Sequence, residues 1–264
     1  MNLTTYKNQK LPSLQEANSF LSRYATMLLE CGATCIRIEK NINRIAHTFQ
    51  LNISMVIMPS YIQFVIEDAT HTHSYSSIIR TSKAAINFQV NTQLSKLSWD
   101  IADQKVNYQQ AKKRLSIIRE TSYENFPKTL ILVSLANSSF CLLFNGDIIS
   151  AFIVFLATFA GFILRRIMIE EHLDIRLVFF SSAFLSSVIA SSGYLFDLGN
   201  TPDIALGTSV LYLIPGVPYI NSISDLLYGH YICAFYRLVN AVILTFCMST
   251  GLCGGLLAMQ INLF

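Results

Sequence analysis

The residues best placed to do chemistry lie in an otherwise apolar stretch. Leu213-Ile214-Pro215-Gly216-Val217-Pro218 sets two prolines and a glycine inside a hydrophobic run. Each proline lacks a backbone N–H and leaves an upstream carbonyl without its helical partner. Lipid tolerates that only where protein or a water-filled cavity supplies the missing bond. Helices broken in this way build midplane binding sites in many membrane carriers, although a simple proline kink has the same spacing. Gly216, without a Cβ, would let a ligand or a partner helix approach the backbone closely. Asn221 and Asp225 follow within two turns, and Arg237 opens the next apolar run. A carboxylate and a guanidinium near membrane depth are costly, so they face a cavity, pair with each other or anchor at the rim. Asp225 is expected to hold an ammonium group or a coupling proton, with Arg237 as counter-charge. Pro215, Gly216, Pro218, Asn221, Asp225 and Arg237 together form the expected substrate path.

Other candidates are weaker. Ser182, Ser186 and Ala190 recur every four residues, a small-residue ridge suited to close helix packing or to a hydroxyl-lined pathway. Gly251 and Gly255 give G-x-x-x-G further on. Cys31 and Cys35 form a C-x3-C pair with no second pair to complete a zinc site. His71-Thr72-His73 beside Glu67 and Asp68 reads as a polar loop rather than a metal site. The signatures of zinc proteases, serine hydrolases and P-loop ATPases are missing from the sequence, so an enzyme and a nucleotide-driven pump are disfavoured and no cofactor or metal is expected.

Composition explains where these residues sit. Of the 264 residues 52% are hydrophobic and 13% charged, about half the charge of an ordinary soluble domain. Residues 1–128 hold 15 Lys/Arg against 9 Asp/Glu, whereas 129–264 hold 4 Arg, no Lys and 7 Asp/Glu. The fold class implied is an α-helical integral membrane protein, with a cytoplasmic α+β domain over 1–127 and a membrane domain over 128–264. Five apolar stretches are expected to span: Thr129–Phe144, Ile148–Leu164, Leu177–Phe196, Ile204–Ile220 and Leu238–Met259. Bases cluster at Lys112, Lys113, Arg114, Arg119 and Lys128, then at Arg165, Arg166 and Arg176, then at Arg237, alternating with base-free connections. That alternation predicts a multi-pass inner-membrane protein with its N-terminus inside and residues 260–264 outside. No secretory leader is read in the segment of Lys7 and Lys10.

In the head, Leu14, Ala17, Leu21, Tyr24 and Leu28 mark a helix that starts after Ser13 and stops at Gly32. Ile38, Ile42, Ile45 and Phe49 mark a second helix, from which Arg37 falls off the apolar stripe. Ile53, Met55 and Ile57 alternate as a strand, Pro59-Ser60 turns the chain, and Tyr61–Glu67 forms the hairpin partner. A short third strand is expected within His71–Ser77. Helical spacing returns at Ile86, Val90, Leu94, Leu97 and Ile101, and again over Val106–Glu120.

Two stretches carry a family resemblance. Leu28-Leu29-Glu30-Cys31-Gly32-Ala33, with Arg37-Ile38-Glu39 and Ile42-Asn43-Arg44-Ile45-Ala46, resembles the opening motif of the threonine/serine exporter family. Leu213–Pro218 through Asn221, Asp225-Leu226 and Gly229 to Arg237 is similar to that family's Pro-Gly helix and the loop that follows it. Glu30, Gly32, Arg37 and Glu39 are the head-motif residues this resemblance singles out, and it raises a role for Arg37 in tying the head to the membrane body. Fused members carry a second set of spans that this chain lacks. The resemblance is therefore to the split type, which works with a separate small multi-spanning membrane protein of the YjjB type. What it implies is the larger subunit of a two-component, ion-driven exporter, working as an oligomer in the lipid bilayer on a small molecule and not on nucleic acid. The substrate implied is a succinate-like dicarboxylate, or threonine/serine as in fused members. The alternative is a membrane-anchored sensor or scaffold whose head is the working part.

Overall fold

The computed structural model describes residues 12–68, 70–82, 86–120 and 125–260. The segment of Lys7 and Lys10 and the last four residues, on which the leader and C-terminal expectations fall, lie outside them. The chain divides into two compact units, one of 1–123 with 220–237 and the other of 124–219 with 238–264. The first unit thus takes in 220–237, a stretch that hydropathy assigned to the membrane body.

The first unit is helical around a small sheet. Helix α1 (Leu14–Glu30) opens with a capping box: Ser13 Oγ accepts from Glu16 N–H, and the Glu16 carboxylate accepts from Ser13 N–H. Helix α2 (Cys35–Thr48) buries Ile38, Ile42 and Ile45 completely, as their 4-3 spacing requires. Strands β1 (Leu51–Ile57), β2 (Tyr61–Asp68) and β3 (Ser74–Arg80) form an antiparallel meander in the order β1-β2-β3. The third strand begins later than its polar sequence suggests. Its register on β2 puts Ile79 opposite Ile62 and Ser77 opposite Phe64, so pairing with an apolar neighbour fixes a strand of low intrinsic preference. Ile62, Phe64 and Ile66 alternate onto the buried face. Helices α3 (Phe88–Ala102) and α4 (Tyr108–Glu120) complete the head, with Asn87 capping α3 at Val90 N–H. The Tyr24 hydroxyl, fully buried, donates to Leu94 O at 2.7 Å and joins α1 to α3.

The second unit holds α5 (Phe126–Leu143), α6 (Ile148–Glu170), α7 (Ile175–Ala190), the single turn α8 (Ser192–Leu195), α9 (Pro202–Ser209) and a 3-10 turn (Leu211–Leu213). It also holds the start of α10 (Gly216–Leu227) and most of α11 (Tyr231–Ala258). Its polarity is inverted relative to the head. Phe152 and Phe246 are more than 60% exposed, while Thr158, Ser182 and Ser186 are fully buried. An apolar exterior over a core of small and hydroxylic residues is the pattern of helices packed in lipid. Four helical stretches are long and apolar enough to cross a membrane: Phe126–Leu143, Ile148–Glu170, Ile175–Leu195 and Tyr231–Ala258. A fifth crossing arises if the pair Pro202–Leu213 and Gly216–Leu227, bent by 57°, counts as one span. The molecule is therefore a helical membrane protein with a small sheet near its N-terminus.

The small residues pack as their spacing predicts. A Cβ on Gly251 would stand 2.3 Å from Phe180 O, and one on Gly255 would stand 2.7 Å from Ser187 Oγ. The G-x-x-x-G of α11 is thus in direct backbone contact with α7. At the N-terminus of α6, Asp147 accepts from Ile149 N–H, Ser150 Oγ and Thr201 Oγ1. The hydroxyls of Ser150 and Thr201 hold its carboxyl well below the usual carboxylate range.

Candidate functional site: the interlocked motifs and the broken helix

The head motif and the residues after the Pro-Gly break, 190 positions apart in sequence, meet in the first unit. The loop between α1 and α2 turns at Gly32, whose φ of +83° suits a residue without a Cβ. Thr34, at the N-cap of α2, makes no side-chain capping bond. Asp225 supplies one instead: its Oδ1 accepts from Cys35 N–H at 2.8 Å, and its Oδ2 accepts from Cys35 Sγ at 3.4 Å. A carboxylate suits a helix N-terminus because unpaired N–H groups and the helix dipole converge there. Contact with Cys233 and burial push the Cys35 thiol well above its ordinary range, which keeps it a donor.

Arg237 completes the arrangement. Its Nε lies 3.1 Å from Asp225 Oδ2, and its Nη2 donates to Ala33 O at 2.8 Å. Asn221 Nδ2 donates to Gly32 O at 2.8 Å. Three side chains of 220–237 therefore satisfy two carbonyls of the α1–α2 loop and the amide that begins α2. Around this core, Glu39 faces His230 at 3.4 Å, Lys40 stands over the Tyr228 ring, and Cys233 Sγ donates to Ile57 O. The supporting turn is itself well formed. Gly229, at φ +83°, ends α10, His230 N–H bonds Asp225 O, and Ser222 Oγ bonds Ala234 O across to α11.

The other head-motif residues act locally. Glu30 Oε1 accepts from Ser82 N–H and Oγ, holding the chain that follows β3. Arg37 donates to Asn91 on α3 at 3.1 Å, within the first unit.

Several sequence expectations change here. Arg237 does not precede the last long helix; it lies seven residues inside α11, which starts at Tyr231. The break lies between the 3-10 turn and α10, where Gly216 N–H bonds Ile214 O and the helical ladder restarts with Tyr219 N–H on Pro215 O. Pro218 does not interrupt a helix. It falls in the first turn of α10, where an N–H would have no helical partner in any case. Gly216 is not in close contact with a neighbour: among the described residues no atom lies within 4 Å of where its Cβ would stand. Both oxygens of Asp225 are engaged by protein donors in this conformation, and the carboxylate is fully buried.

In the second unit, Ser186 of the small-residue ridge joins polar side chains not singled out from sequence, Asn137, Thr158 and Tyr212, in buried hydrogen bonds. Asn137 Nδ2 donates to Thr158 Oγ1 at 2.6 Å and to Thr208 O at 3.0 Å, joining α5, α6 and α9. Ser186 Oγ bonds Ala157 O and pairs with Tyr212 OH at 3.0 Å. Gly161 makes room for that pair, since a Cβ there would stand 2.1 Å from Tyr212 OH. Ser182, one turn from Ser186 on α7, is fully buried with no hydrogen-bond partner for its hydroxyl among the described residues. For Asn137, Thr158 and Tyr212 the sequence offered only isolated polar residues within apolar runs, a weak signal when each is read alone, whereas the four-residue spacing of Ser182 and Ser186 was visible.

Comparison with known proteins agrees with this architecture. A family model described as "Putative threonine/serine exporter" matches residues 19–260. Two curated relatives are both named "Probable succinate transporter subunit YjjP". The one from Escherichia coli is 28% identical over 227 residues, 85% of this chain and 87% of the relative. The one from Klebsiella aerogenes is 26% identical over 230 residues, 86% of this chain and 88% of the relative. No solved structure matches the chain.

Proposed function

The chain belongs to the threonine/serine exporter family, and from that premise we propose that it is the larger subunit of a two-component secondary exporter in the cell's inner membrane. Its cargo is a small organic acid of the succinate type, with threonine or serine as the other substrate class the family name admits. The observation that carries this reading is the break at Pro215-Gly216 within a bent pair of apolar helices. Such a break leaves backbone groups available to a polar solute or to water. Curated relatives named as subunits of a succinate transporter support both the cargo and the need for a partner. That partner is a small multi-spanning membrane protein, and the assembly is an oligomer. The alternation of basic and base-free connections favours a cytoplasmic head and an external C-terminus.

The interlocked motifs give the head a role in this scheme. Helix α10 carries Gly216 at one end and Asp225 nine residues later, about 13 Å along a single helix. The same helix thus carries residues of both the interlock and the break. The deciding experiment is efflux from cells loaded with labelled succinate, threonine or serine, with and without the partner. Succinate efflux that requires both chains is expected; unchanged efflux of all three in a deletion strain refutes the reading.

A further inference from the structure

We propose that the outer face of α4, with the adjoining edge of α3, is a docking surface for the anionic phospholipid headgroups of a membrane. From Gln104 to Arg119 the sequence holds Lys105, Lys112, Lys113, Arg114 and Arg119, and no Asp or Glu. The fold decides where those charges go. Ala111, Leu115 and Ile118 recur along one stripe of α4, and all three are buried in the core of the first unit. Lys112, Lys113, Arg114 and Arg119 are thereby left on the exposed side. Ile117, one turn after Lys113, is 48% exposed among them. A groove of about 600 Å³ widens the patch to α3, lined by Lys96, Leu97 and Asp100 of that helix and by Lys105, Arg114 and Ile117.

Charge selects the class of partner. Arg114 pairs with Asp100 at 2.8 Å and Lys105 with Asp103 at 2.7 Å. Lys96, Lys112, Lys113 and Arg119 make no ion pair among the described residues. The patch is therefore strongly positive, and its complement is an anion. Two features favour a lipid surface over a soluble acidic partner. Lys112 and Arg119, seven apart, share one flank of α4, while Arg114 lies on the other beside the groove. Cations that diverge in this way suit a plane of many anions, which long flexible side chains can reach, better than they suit one ligand. The second feature is sequence position. Helix α4 ends five residues before α5, the first helix apolar enough to cross a membrane, so lipid is held at high local concentration by the chain itself. The apolar stripe of α4 is committed to the head core, so the helix cannot lie in the interface as an amphipathic anchor. It meets headgroups by charge, with Ile117 as the apolar side chain beside them.

Trp99 of α3 is the only tryptophan in the chain and is 55% exposed, which makes it a built-in fluorescence donor for the test. The full-length chain is reconstituted in nanodiscs of phosphatidylcholine, with or without phosphatidylglycerol, each carrying a trace of dansyl-labelled lipid as acceptor. Energy transfer from Trp99 is expected to rise with the phosphatidylglycerol fraction and to fall back in high salt, which screens surface charge. At about fivefold per base, Lys112→Gln/Lys113→Gln should weaken surface contact roughly 25-fold, whereas Lys112→Arg/Lys113→Arg should keep it. Both positions are exposed, and thermal midpoints in phosphatidylcholine discs check that the variants fold. Transfer that ignores phosphatidylglycerol overturns the proposal, as does a well-folded Gln variant that responds as wild type does. Release of wild type by inorganic phosphate at constant ionic strength also overturns it, since that marks a site for one soluble anion. Succinate efflux enters none of these readouts, so the lipid surface stands or falls apart from the exporter reading.

Discussion

Replacing Asp225 by Asn tests the interlock at its most consequential atom. The two side chains have the same shape, so the change removes a charge and little else. In the native arrangement a fully buried carboxylate accepts from Cys35 N–H at 2.8 Å and faces Arg237 Nε at 3.1 Å. An amide oxygen can still accept from Cys35, but a neutral acceptor contributes about 0.5–1.5 kcal/mol where a charged one contributes about 1.5–3. The difference of roughly 1–2 kcal/mol corresponds to opening of the α2 N-terminus about 5- to 30-fold more often. The Arg237 side chain, 15% exposed, also loses its counter-charge. Breaking one side of a buried pair costs about 3–5 kcal/mol, so the 220–237 stretch should lose protection as well. Hydrogen exchange followed by mass spectrometry on the full-length chain reads both regions, through peptides covering 31–38 and 221–237. The double variant Asp225→Asn/Arg237→Gln should recover part of the loss, because it leaves no unpaired charge. Native exchange in the single variant, or strict additivity in the double, would refute the reasoning.

Three further predictions concern helix packing, the Asp147 cap and the Pro-Gly break. Gly251→Ala should destabilise the chain by about 1–3 kcal/mol, because its Cβ meets the Phe180 carbonyl. Gly254→Ala, whose nearest neighbour would be a Phe184 ring carbon at 3.5 Å, should be close to neutral, and thermal midpoints in detergent compare the two. Asp147→Asn should destabilise at neutral pH, with a gap to wild type that stays flat down to about pH 5 and closes below about pH 4. The sign follows from a folded-state pKa lowered by Ser150 and Thr201, whose stabilisation is present above the ordinary carboxylate value and lost as pH falls through the lowered one. Gly216→Leu should insert at wild-type abundance, since its Cβ meets nothing within 4 Å, yet lose efflux. Normal efflux by that variant would reduce the break to a kink.

Local periodicity made the head legible from sequence. Ile38, Ile42 and Ile45 show one spacing and share complete burial, and Ser13 with Glu16 announces the start of α1. The third strand was harder to read, because Ser74, Ser76 and Ser77 carry no strand preference and take their conformation from β2. Proline and glycine marked the break, but not that Pro218 lies in the first turn of a new helix: the same missing N–H is harmful in mid-helix and harmless in a first turn. Hydropathy began the last span at Leu238 because the preceding turns mix aromatic residues with His230 and Arg237, although the helix begins earlier, at Tyr231. The meeting of Cys35 with Asp225 was not legible at all. Each residue looked complete in its own segment, and a contact across 190 positions leaves no trace in periodicity.

The position of Asp225 in the chain also has a consequence for the order of synthesis. A nascent chain that has emerged through residue 123 contains every head helix and strand but neither Asn221, Asp225 nor Arg237. The remaining roughly 114 residues to position 237 take on the order of 6–20 s at ordinary translation rates. During that interval the carbonyls of Gly32 and Ala33 and the amide of Cys35 await their partners, while three of the four long apolar helices and the bent pair are synthesised. Completion of the head is thus a late event in biogenesis, and it reports that the preceding helices have been made.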